Sequence, residues 1–168
     1  MTKPNLNQLL SALSADFVVH VVPPAGAVAN EQLHIELPND AAGRTRVLEL
    51  IFLPHADDVH FLQFFVMLPT PVAVDRLNEV ARIIARINST APLPGFCLLE
   101  DISVLCFRCL MPCPNHSLDT EIVMNTVYLT LYMLDHLGPV VEGVASGQVS
   151  LPNAINLLKP QVEMLPDP

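Results

Sequence analysis

The sequence predicts an α+β fold, an antiparallel sheet with helices packed on it. Three observations carry that prediction. Short runs rich in β-branched and aromatic residues follow one another with only tight turns between them, as antiparallel neighbours do. Two longer segments, near 71–88 and 117–137, repeat their apolar residues at helical spacing. Sixteen prolines punctuate the chain and mark where elements stop.

Taken in order, Asn5 to Ser14 carries Leu6, Leu9, Leu10 and Leu13 on one helical face and reads as a short amphipathic helix. Asp16 to Val22 is β-branched and runs into Pro23-Pro24, a strand followed by a turn. Gln32 to Leu37 alternates apolar and polar residues, the pattern of a half-exposed strand. After the turn chemistry of Pro38 to Gly43, Arg46 to Leu53 forms the next strand. Val59 to Leu68 is a further strand, and its largely apolar run predicts burial on both faces.

A helix is expected to start at Thr70-Pro71, where proline has no N–H to lose. Its stripe is Val74, Leu77, Val80, Ala81, Ile84 and Ile87, and it ends near Asn88. Phe96 to Leu99 and Ile102 to Leu110 flank Glu100-Asp101 as a second hairpin, closed by Pro112-Cys113-Pro114. The last main helix runs from about Ser117 to Leu137 and stops before Gly138-Pro139; Leu151 to Leu158 adds a helical turn or two. We therefore expect one domain over residues 1–145 and a short helical turn with a proline-bounded tail over 146–168.

Composition excludes several functions. With 8 Lys+Arg against 17 Asp+Glu, the formal net charge is −9, and the cations are scattered. Nucleic-acid or anionic-membrane binding needs clustered cations, so neither is expected. The most apolar run, Val59 to Val74, is interrupted by His60, Gln63, Pro69, Thr70 and Pro71, short of the ~18 residues a membrane span requires. Met1-Thr2-Lys3-Pro4 has neither the basic region nor the apolar core of a secretion signal, which predicts a cytoplasmic protein.

The sharpest chemical motif is Cys106-x2-Cys109-x3-Cys113-x2-His116, since zinc favours thiolate and imidazole ligands. Strand alternation sets Cys106 and Cys109 on opposite faces, and the two half-sites stand only three residues apart, so buried reduced cysteines are the expected reading. A disulfide is not expected in a reducing compartment. His55 and His60 beside Asp57 and Asp58 read as a solvated turn. No nucleophile elbow, metalloprotease helix or phosphate-binding loop occurs, and the pair Glu100-Asp101 is better explained as a turn. No enzyme and no cofactor is expected.

The helix near 117–137 is apolar around too much of its circumference for one packed face. That excess predicts cover on a second side, by Leu151–Leu158 or by a partner subunit. Val127, Tyr128, Leu131 and Tyr132 are the interface candidates.

The second half then shows a recognisable succession. A helix ends at Arg86-Ile87-Asn88, followed by Pro94-Gly95-Phe96-Cys97-Leu98. Glu100-Asp101-Ile102-Ser103-Val104-Leu105-Cys106-Phe107-Arg108 comes next, and a long helix closes on Leu134-Asp135-His136-Leu137. Over about Val72–Val144 this resembles the YbjN-like family of bacterial sensory transduction regulators, a family similar in fold to class I type III secretion chaperones. The resemblance implies an α-β-β-β-α-β-β-α order, with the strand at Gln32–Leu37 and the proline-rich tail as additions. It also implies a small cytosolic homodimer that binds another, unidentified protein, with no catalytic signature. The expected function is therefore a non-catalytic, chaperone-like or regulatory interaction module. The alternative is a metal- or small-ligand-binding regulator using Cys106, Cys109, Cys113 and His116.

Overall fold

The computed structural model describes residues 6–25, 30–53, 60–113 and 118–162. Helix α1 (Leu6–Leu13) leads into four strands, β1 (Val18–Val22), β2 (Gln32–Leu37), β3 (Arg46–Leu53) and β4 (His60–Pro71). Helix α2 (Leu77–Thr90), strands β5 (Phe96–Leu99) and β6 (Val104–Cys113), and helices α3 (Thr120–His136), α4 (Gly138–Ala145) and α5 (Leu151–Val162) follow. The six strands form one sheet in the order β1-β2-β3-β4-β6-β5, and the fold is α+β as expected. By internal contacts the chain divides into two units, the chain up to Val66 with Arg108–Leu131, and Met67–Phe107 with the chain from Tyr132 onward.

In the first unit the core begins with the pleat. Antiparallel pairing sets Leu33 opposite Leu50 and Ile35 opposite Leu48. It also sets Leu48 opposite Val66 and Leu50 opposite Phe64. All six are at most 1% exposed and share one face. Fully burying each such side chain is worth about 1.5–3 kcal/mol. Helix α1 adds Leu6, Leu9 and Leu13 to the core and packs on β1 and β2.

The β2–β3 turn is tied by local bonds. Asp40 Oδ1 accepts from the backbone N–H groups of Ala42 and Arg44, each at 2.9 Å, and Asp40 Oδ2 accepts from Arg44 Nε at 2.6 Å. These bonds, led by the Arg44 N–H, hold the Asp40 carboxyl below its ordinary pKa. Gly43 takes φ +75° there, a conformation that glycine adopts without steric cost. Buried Arg46 donates from Nε and Nη2 to the Pro38 carbonyl, at 3.2 and 2.7 Å.

Strand β4 differs from expectation. It is not buried on both faces: Leu62, Phe64 and Val66 are covered, while Phe61, Gln63 and Phe65 between them are only half-buried. An apolar run cannot report which of its two faces is covered. The start of α3 is capped by Asp119, whose Oδ1 accepts from the N–H groups of Glu121 at 2.9 Å and Ile122 at 3.2 Å.

In the second unit β4 continues through Thr70 and Pro71, so the helix does not start there. A 3-10 turn, Val74–Arg76, intervenes, and Val74 is exposed rather than part of the stripe. The buried face of α2 is Val80, Ile83, Ile84 and Ile87. Asn88 joins that helix to β5: its Nδ2 donates to the Phe96 carbonyl at 2.8 Å, and its Oδ1 accepts from the N–H groups of Gly95 and Phe96 at 3.2 Å.

Helix α3 ends at His136, ahead of Gly138-Pro139 as expected, but that dipeptide does not end helical structure. It opens α4, where proline in the first turn costs no hydrogen bond. The segment expected to give a turn or two is α5, which buries Leu151, Ala154 and Leu158 and packs on α2 and α4.

Phe96 and Phe107 meet edge to face, with ring centroids 5.2 Å apart at 87°. Gly95 lies against this pair, and a Cβ there would stand 2.5 Å from Phe107 Cζ. Gly95→Ala must therefore displace the ring. Overpacking of this kind costs about 1–3 kcal/mol, and a lower urea midpoint at unchanged slope is the expected reading.

Candidate functional site

The pleat of β6 divides the cysteines. Cys109 and Cys113 lie on one face and Cys106, with Arg108 and Leu110, on the other. Along the strand, four residues at roughly 3.3 Å each separate Cys109 from Cys113 by about 13 Å, too far for one ion. His116 lies outside the described residues, as do His55, Asp57 and Asp58. Among the described residues no three His, Cys, Asp or Glu side chains gather as a metal site would need. His20 is instead paired with Glu36, Nε2 to Oε1 at 2.8 Å, on an exposed strand surface. Glu100 and Asp101 sit exposed in the short 3-10 turn between β5 and β6.

Burial pushes the Cys109 thiol up to about 11, with a side-chain bond to Thr130 acting weakly against it. The Thr130 hydroxyl is fully buried and has no partner of good hydrogen-bond geometry among the described residues. Burial likewise raises Cys113, opposed by the Leu62 backbone. Cys106 has a neighbour that its spacing to Cys109 and Cys113 does not reveal. Cys97 on β5 stands directly opposite Cys106 in the antiparallel register. Counting back from the Glu100–Ser103 turn would have paired them.

The helix candidates fare unequally. Val127 is fully buried in the core of its own unit, so it is not available to a partner. Leu131 is half-buried. Tyr128 is 44% exposed, but it belongs to its own chain. Its hydroxyl donates to Asp16 Oδ2 at 2.7 Å and its ring lies 5.7 Å from Phe17. That bond to the Asp16 carboxylate raises the Tyr128 phenol above its ordinary pKa. Tyr132 is 51% exposed and stacks on His136, with centroids 4.1 Å apart.

A second group of apolar side chains lies on the half-covered face of β3, β4 and β6. Val47 and Leu110 are exposed there, and Ile51, Phe61 and Phe65 are half-buried. Its polar members are placed asymmetrically. Glu49 on β3 stands opposite Phe65 in the register, and Arg108 on β6 donates from Nε to Gln63 Oε1 at 2.6 Å. Elsewhere, a shallow cleft between α2 and α5 is lined by Glu79, Arg82, Leu151, Pro152, Ile155 and Asn156. One of its charges is already used, since Glu79 accepts from Arg76 Nη1 at 2.9 Å.

No helix among the described residues is long and apolar enough to cross a membrane. No protein-family model matches this chain, and no curated protein matches it either.

Two titrations follow. A raised thiol pKa means the folded state favours the protonated form, so its contribution is intact below the ordinary value and is lost as pH rises toward 11. At pH 8 only about a thousandth of Cys109 is thiolate, and iodoacetamide mapping should find it modified far more slowly in the folded chain than after unfolding in urea. The same sign applies to Tyr128. Absorbance titration of the two tyrosines should show one phenol ionising late, and Asp16→Asn should bring it back toward an ordinary value.

Proposed function

We propose that this chain is a non-catalytic protein-interaction module, chaperone-like or regulatory, that acts as a homodimer. The observation that supports this reading is the apolar surface on the β3-β4-β6 face. Val47, Ile51, Phe61, Phe65 and Leu110 are kept at least partly in contact with water on a strand surface that carries few charges. Exposed apolar surface of this kind marks an interaction site.

The face is also suited to a second copy of itself. A two-fold interface must be self-complementary. With strand order β3-β4-β6, an axis along β4 lays each β3 over the β6 of the other copy. Glu49 on β3 then meets the partner's Arg108, and the reverse, around an apolar centre at Phe61 and Phe65. Sheets pack face to face at about 10 Å, a separation that side chains of this size fill.

Membership of the YbjN-like family, a cytoplasmic location and an unidentified protein partner belong to the same proposal and rest on the resemblance in residues Val72–Val144. Exposed Ile122 and Tyr132 on α3 remain available to that partner. One observation favours this reading over the alternative, a metal- or small-ligand-binding regulator built on Cys106, Cys109, Cys113 and His116. The pleat turns Cys106 away from the other two strand cysteines.

Light scattering is the decisive measurement. The wild-type chain is expected at twice its 18.4 kDa mass. An unpaired carboxylate in an apolar contact costs several kcal/mol, so Phe61→Glu or Phe65→Glu should weaken dimerisation roughly a hundredfold or more. Circular dichroism should stay unchanged. A wild-type protein that is monomeric at every concentration would overturn the dimer, and a folded Phe65→Glu dimer would remove this face as its interface.

A further inference from the structure

The β5–β6 hairpin places two thiols face to face, and nothing in the interaction reading uses them. Register pairs Phe96 with Phe107, Cys97 with Cys106, and Leu98 with Leu105. All four cysteines are thiols, Cys106 fully buried and Cys97 half-buried. We propose that Cys97 and Cys106 form a site of reversible covalent modification, a cross-strand disulfide that closes when a hydroperoxide reaches the hairpin.

The geometry favours closure between these two. Directly opposed residues of an antiparallel pair have Cα atoms about 4.5–5.5 Å apart, inside the roughly 4.4–6.8 Å range of disulfides. Their Cβ atoms stand about 4.5–5.5 Å apart, somewhat wider than the bond prefers. The strands must draw together slightly, and a strained disulfide is readily reduced. Cys109 and Cys113 have no such opposite number, being on the other face of β6.

Access divides the roles. Cys97 is the thiol a small oxidant can reach, and its Sγ–H rests on the Gly95 carbonyl at 3.3 Å. Its sulfur attacks one peroxide oxygen and the O–O bond breaks. Cys97 becomes a sulfenic acid, and the other oxygen leaves as water, carrying the thiol proton. The Cys106 sulfur then attacks Cys97 sulfur, and the S–O bond breaks. A second water leaves with the Cys106 proton. Two thiols lose two electrons and two protons, and hydrogen peroxide is reduced to two waters.

The position gives the bond an effect. Strand β5 is an edge of the sheet and only four residues long. Edge strands open most easily, and a covalent tie to β6 holds this one in register.

The test uses the full chain and hydrogen peroxide, with alkylation and peptide mapping under non-reducing conditions. The expected product is one intramolecular link between the Cys97 and Cys106 peptides, a mass loss of about 2 Da reversed by dithiothreitol, and a raised thermal midpoint. Cys97→Ser should abolish the link, and the double variant Cys109→Ser/Cys113→Ser should keep it. Failure of that folded double variant to form the link would overturn the proposal. So would a link joining any other pair, or joining two chains.

Discussion

One-sided burial of the pleat is the constraint on which the rest of the first unit depends. Leu33, Ile35, Leu48, Leu50, Phe64 and Val66 are nearly inaccessible because the register brings them to a common face. Successive side chains in a strand point to opposite faces, so that choice also assigns every residue between them. Glu49, Ile51, Gln63 and Phe65 are on the other face as a consequence. The apolar members of that second set are the surface proposed to meet another copy. A slip of one residue would exchange the two faces, and the hairpin turn at Asp40, with buried Arg46 on the Pro38 carbonyl, opposes such a slip locally.

The same period-two rule governs the cysteines. It breaks the apparent metal-ligand spacing of Cys106, Cys109 and Cys113, since proximity in sequence is not convergence in a strand. It creates a different neighbour for Cys106 across the hairpin, nine residues back in the chain at Cys97. In a strand the chemically relevant spacing is counted through the turn, whereas in a helix it is counted along the chain.

Helix α3 shows where composition overstates exposure. Its apolar residues were too many for one face, and the surplus divides into several fates. Val123, Val127, Met133 and Leu134 are buried. Tyr128 keeps its ring partly in water yet is committed to Phe17 and Asp16 of its own chain. Ile122 and Tyr132 remain exposed. Composition does not separate these fates, because a helical wheel records polarity and not the distance to Asp16, more than a hundred residues away in the chain.

Read alone, the sequence determined the α+β class and the strands at Gln32–Leu37 and Arg46–Leu53, because alternation and turn residues are local signals. It also located the apolar face of α1, where three of the four leucines, Leu6, Leu9 and Leu13, are buried. Tertiary structure decided what local signals do not encode. It carried β4 through Pro71, opened α4 at Gly138-Pro139, and extended α5 to pack on α2 and α4. It also decided which face of β4 is covered and which cysteine opposes Cys106. Each of these depends on what lies across a strand or over a face, and such neighbours come from distant parts of the chain that no periodicity within one segment can name.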